Sequence, residues 1–92
     1  MDIRKILVLA RRDHKEAMRV ASGLTVYDHE VQLVFMTGPV EETAANAEQV
    51  ELLELSGIEP MTTVREMADQ LPLLGVADLA AAVRVAEHVI SI

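Results

Sequence analysis

The sequence predicts an α/β domain, a small parallel sheet of four strands with helices on both faces, in the order βαβαβαβ. Three observations carry that expectation. Short apolar runs bounded by turn residues recur along the chain, and stretches with apolar spacing of three and four separate them. Hydrophobic residues make up 51 % of the chain, while aromatic residues make up only 2 %, so the core must be aliphatic. At 92 residues the chain is the length of a single domain, residues 1–92, and a second core is not expected.

The elements follow in order. Residues 3–10 contain Ile6-Leu7-Val8-Leu9-Ala10 without polar interruption, as expected of a strand buried on both faces. Asp13 can cap a helix over residues 14–26 that sets Ala17, Ala21 and Leu24 on one side. Asp28-His29-Glu30 breaks the pattern, residues 31–36 form the second strand, and Thr37-Gly38-Pro39 ends it. A second helix is expected from near Val40 to Leu55, with Glu41 and Glu42 in its first turn and Gly57 in the left-handed position beyond its end.

Residues 61–64 read as a short third strand, β-branched after Met61. Residues 65–71 suit one or two helical turns stopped before Pro72. Val76, Leu79, Ala80 and Val83 keep helical spacing around a run of alanines, and residues 88–92 close the chain as a last strand. Strands alternating with helices imply right-handed crossovers and a parallel sheet. A sheet of four strands ends early, so an edge or a helical face is expected to be covered by another subunit.

Composition closes several function classes. The net charge of −7 and the near absence of aromatic side chains, Tyr27 and Phe35 being the two, argue against nucleic acid as a partner. Without cysteine there is no disulfide, no thiolate nucleophile and no thiolate metal ligand. Missing disulfides in so small a domain favour the cytoplasm. The apolar run after Arg4 and Lys5 is too short for a signal peptide, and no stretch approaches a membrane span, so no membrane partner is expected. His14, His29 and His88 are far apart and lack partners at ligand spacing, so no metal and no cofactor are expected.

Charge is unevenly spread. Residues 1–20 hold Arg4, Lys5, Arg11, Arg12, Lys15 and Arg19 against three acidic groups, and the rest of the chain is strongly acidic. Glu41, Glu42, Glu48, Glu51 and Glu54 are read as the solvated face of one helix, and the methionines as core filler.

Several segments together resemble the DsrE/DsrF-like family of sulfur-relay proteins. They are the opening Arg4-Lys5-Ile6-Leu7-Val8-Leu9, then Asp28-His29-Glu30-Val31-Gln32-Leu33-Val34-Phe35, close to a "GHEV" turn and strand. Glu51-Leu52-Leu53-Glu54-Leu55-Ser56-Gly57-Ile58 and Leu74-Gly75-Val76-Ala77-Asp78-Leu79 follow, and Ala86-Glu87-His88-Val89-Ile90-Ser91-Ile92 ends the series. The resemblance implies a flavodoxin-like sheet, assembly as a trimer or hexamer, and a protein partner in sulfur relay. It also implies a persulfide-carrying cysteine just beyond the third strand. That position falls near Thr63 here, and threonine cannot carry a persulfide, so sulfur transfer by a thiol does not carry over. The scaffold, pocket and oligomeric interface are what it leaves.

In an open parallel sheet, ligands bind beyond the carboxyl ends of the strands, at the switch point. On that edge the sequence sets Arg11, Arg12 and His14, then Thr37 and Gly38, then Thr62 and Thr63, as candidate ligand-binding residues. Amides at the start of the first helix, with Arg11, Arg12 and His14 beside them, can hold a small anion. The plainer reading is that both arginines are solvated and Asp13 only caps. There is no G-x-G-x-x-G, no phosphate-binding loop and no nucleophile elbow around Ser22 or Ser56.

The expected function is a non-catalytic, homo-oligomeric DsrE-like domain that binds a protein or a small anion, in sulfur or redox metabolism. The alternative is a small enzyme with His14 as acid–base group and Arg11 or Arg12 as anion clamp. A third is a regulatory or structural module without ligand.

Overall fold

The computed structural model describes residues 3–92, and its element order is β1 (Lys5–Ala10), α1 (His14–Thr25), β2 (Glu30–Phe35), α2 (Ala44–Ser56), β3 (Met61–Thr62), a 3-10 turn (Arg65–Met67), α3 (Val76–Val85) and β4 (His88–Ser91). The four strands form one all-parallel sheet in the order β3-β2-β1-β4. This is the expected α/β class, a small flavodoxin-like arrangement of four strands and three helices. β1 is central and pairs along its length with β2, from Lys5 opposite Glu30 to Ala10 opposite Phe35. The same strand pairs with β4 from Ile6 opposite His88 to Leu9 opposite Ser91. Its uninterrupted apolar run is therefore what an inner strand needs, since both faces are shielded.

Side chains alternate across the pleat, and the register decides which residues share a face. Ile6, Val8 and Ala10 of β1 stand level with Val31, Leu33 and Phe35 of β2. Five of these six join the core cluster directly, and Val31 packs against it half-buried. α1 covers that face with Ala17, Met18 and Ala21, and α2 adds Leu53. α1 and α2 pack against each other over this face. Leu7 and Val34 alternate to the opposite face, where both are fully buried. The connection from β3 returns across the sheet to β4 on the far side of β1. A right-handed crossover of that kind sets α3 on the opposite face, where it touches β1.

Local chemistry explains the element ends. Asp13 has extended backbone, and its carboxylate accepts from the Glu16 amide at 3.0 Å, the expected cap. The second helix starts later than the sequence suggests. Thr43 caps it through its hydroxyl, which accepts from the Asn46 amide at 3.1 Å. The Asn46 side chain also donates to the Glu41 carbonyl at 2.8 Å, so Val40, Glu41 and Glu42 form an approach loop, not a first turn. Gly57 takes the left-handed conformation, φ 76°, and its amide donates to the Glu54 carbonyl as the helix ends.

The third strand is shorter than expected. The buried Thr62 hydroxyl accepts from the Val64 amide at 2.9 Å and donates to the Phe35 carbonyl at 3.0 Å, which turns the chain away after two strand residues. Its outer edge is not bare. The Thr62 amide donates to the Pro72 carbonyl, and the Leu74 amide donates to the Thr62 carbonyl, so residues 72–74 run alongside as a one-residue bridge. That arrangement blunts the edge beyond β3.

Candidate functional site

The strand order reverses between β1 and β4, so the switch-point crevice opens where Ala10 leads into Arg11 and where Ser91 leads into Ile92. The backbone partly closes it. The amides of Arg11 and Arg12 both donate to the Ile92 carbonyl at 2.8 Å. Two donors that the sequence offers to an anion are thus already committed. The Asp13 carboxylate at the same helix start adds negative charge there. What stays exposed at the crevice are the side chains of Arg11 and Arg12, the Arg11 guanidinium reaching the Ser91 hydroxyl at 3.5 Å.

Arg11, His14 and Thr37 come together; the rest of the predicted set does not converge as tightly. The Thr37 hydroxyl donates to the Arg11 carbonyl at 2.7 Å, tying the end of β2 to the end of β1. His14, on the first turn of α1, sets Nε2 at 3.1 Å from the Met36 carbonyl. A carbonyl only accepts, so Nε2 carries the proton in this contact. The imidazole also meets the Phe35 ring edge-on, with centroids 5.5 Å apart. Both contacts hold the ring in place, and the acid–base role of the alternative reading would fall to Nδ1.

Thr37 has φ 79°, in the left-handed region that a β-branched residue rarely enters, whereas the neighbouring Gly38 does not. In the Thr37-Gly38-Pro39 turn that ends β2, the left-handed position thus falls on the threonine and not on the glycine. The hydroxyl bond to the Arg11 carbonyl helps hold that geometry against a cost of about 1–3 kcal/mol.

Thr62 and Thr63 differ from each other. Thr62 is fully buried, with its hydroxyl bonded inward, so it supports the floor of this edge and cannot meet a ligand from solvent. Thr63 is half-buried, and its amide donates to the Phe35 carbonyl at 3.0 Å. Among the described residues, no group of three or more His, Asp or Glu side chains is gathered in a way that could hold a metal ion. Among the described residues, no helix is long and apolar enough to cross a membrane.

A second hollow lies on the other side of Phe35. It is a groove of about 870 Å³ between α2 with its approach loop and the 3-10 turn, floored by Leu53, Ile58 and Met67. The sequence signal that could have found it is the apolar pattern of α2. Val50, Leu52, Leu53 and Leu55 point to more than one side of that helix, and only Leu53 is buried. Comparisons of the chain with protein-family models, with characterised proteins and with solved structures gave no match.

Proposed function

We propose that the chain is a non-catalytic binding domain of DsrE-like type that works as a homo-oligomer, with the α3–β4 face as the self-association surface. α3 carries the reading. Its sequence is VADLAAAVRV, yet no residue in it is buried; Val76 is 89 % exposed and Val85 63 %. Val89 of the adjoining edge strand β4 is also exposed. A helix so apolar, on a domain so small, gains from burial against a second copy. The resemblance noted in the sequence supports trimeric or hexameric assembly, and the absence of cysteine supports the cytoplasm. In sulfur or redox metabolism the domain would serve a partner protein, or hold a small anion, without a thiol of its own.

Native mass spectrometry tests the assembly directly. A trimer or hexamer that falls to monomer in Val76→Lys with Val85→Lys is the expected result. A monomer at every concentration overturns the oligomeric reading. The anion-binding form has its own test, isothermal titration with inorganic sulfate and phosphate. Binding that disappears in Arg11→Ala with Arg12→Ala supports it, and heat unchanged by both substitutions removes the crevice from consideration.

A further inference from the structure

The groove beside α2 has a chemical character that neither the crevice nor the α3 face shares. Its floor is aliphatic: Val40, Val50, Leu53, Ile58, Met67 and Leu71 all line it. Its rim is acidic, with Glu41 and Glu42 on the approach loop, Glu54 on α2 and Glu66 on the 3-10 turn. Among the described residues, no lysine, arginine or histidine lines it. Among the described residues, the ion pairs are Arg4–Glu87 and Arg19–Glu16, and none of the four rim carboxylates is in one. All four are exposed.

Two walls set the shape. α2 supplies one over three turns, and the segment from the 3-10 turn to Leu71 supplies the other, with Pro39 and Pro60 at the ends of the loops that frame them. A channel with an apolar floor and charged lips is the form that receives an amphipathic helix, whose residues at i, i+3, i+4 and i+7 enter the floor while its flanks meet the rim. Here the lips are all negative. The flanks of the occupant must therefore be positive, because a neutral or acidic segment would leave four carboxylates facing its own charges or none.

The long-range field agrees. The chain carries −7 overall; Lys15 and Arg19 lie on α1, which packs against α2, but neither lines the groove. A net negative charge attracts a cationic partner from a distance, and the acidic rim favours it at close range. A second copy of this chain, with the same net charge, is attracted less. We propose that the α2 groove docks a cationic, amphipathic helical segment of a partner protein, lysine- or arginine-rich along its flanks and aliphatic along its face. This is independent of self-association through α3, which uses the opposite face of the sheet.

The probe is a synthetic amphipathic helix of leucine and lysine, titrated by fluorescence anisotropy, with a leucine–glutamate peptide of the same length as its counterpart. Three proteins are compared: the unmodified chain, the rim variant Glu42→Lys with Glu54→Lys and Glu66→Lys, and the control Glu48→Lys with Glu51→Lys and Glu59→Lys. The control residues are exposed, lie outside the groove and make the same change in net charge. Expected is binding of the lysine peptide only, weakened at least tenfold by the rim variant and less than threefold by the control.

Equal weakening by both triple variants overturns the proposal, because attraction would then follow net charge and not the groove. Binding of the glutamate peptide with similar affinity overturns the cationic assignment. Amide chemical shifts on the unmodified chain give a second readout that does not depend on any variant folding. Perturbation centred on Val50, Leu53, Met67 and Leu71 supports docking in the groove, and perturbation elsewhere refutes it. Self-association that competes with the peptide would identify a second copy as the occupant and likewise refute a cationic partner.

Discussion

The two faces of the sheet are built to different standards. On one, Ile6, Val8, Ala10, Leu33 and Phe35 lie under α1 and α2 and join with Met18, Leu53 and Met67 in a continuous core. On the other, Leu7 and Val34 are fully buried, but Gln32, level with Leu7, is exposed, and α3 above has no buried residue. The first face is finished within the chain. The second is covered at its centre and left apolar at its margin, and the proposed self-association rests on that margin. The difference separates what holds the fold from what is available for function.

Substitutions on the two faces should therefore diverge, and the largest divergence is in the core. Leu33→Ala removes a fully buried side chain from the closed face and should cost about 2–5 kcal/mol in urea unfolding. Leu79→Ala on half-buried α3 should cost clearly less when both are measured on the monomer. Equal costs would show that the α3 face is as well packed as the other.

Thr62→Val comes next. It keeps the volume but strands the buried Val64 amide, while the Phe35 carbonyl keeps the Thr63 amide, a loss of about 1–3 kcal/mol. A neutral result would show that water reaches this edge of the closed face.

Smaller still is the effect of Val76→Lys with Val85→Lys on the monomer, expected within about 0.5 kcal/mol because both side chains are exposed. The same pair should abolish assembly, so stability and oligomeric state should come apart on this face alone.

The smallest effect concerns the ion pair that ties the start of β1 to the turn before β4. The Arg4 guanidinium lies 3.0 Å from Glu87 and, with the Lys5 amide, holds the Glu87 carboxyl below its ordinary range. A lowered folded value means the stabilisation is present above the unfolded carboxylate range and is lost as pH falls through the folded one. Glu87→Gln should lower the melting temperature slightly at neutral pH, and the gap should close in acid. The pair is exposed, so a gap that vanishes in high salt is part of the same expectation.

Much of this was legible from local chemistry. The Asp13 cap, the Gly57 terminus and the doubly shielded run of β1 are each decided by residues within a few positions of one another. The start of α2 is less legible: Glu41 and Glu42 suit a first turn by charge, while the hydroxyl of Thr43 and the side chain of Asn46 decide the boundary by hydrogen bonding. Of the predicted site residues, Thr37 is tied to the Arg11 carbonyl and His14 to the Met36 carbonyl, contacts that no spacing in the sequence announces. Thr62 read as a solvent-facing hydroxyl because its type and position suit one, and its burial depends on the turn after β3.

The sequence by itself determined the α/β class, the alternation of elements, the absence of thiol chemistry and the acidic balance, since these follow from composition and short-range pattern. Tertiary structure alone decided the strand order, the unequal covering of the two faces and the acidic-rimmed groove. Each of those depends on which distant segments pack together, and the conformation of Thr37 shows the same dependence in a single residue. Its left-handed backbone is held by the hydroxyl bond to the Arg11 carbonyl, a contact that exists only once β1 and β2 lie side by side.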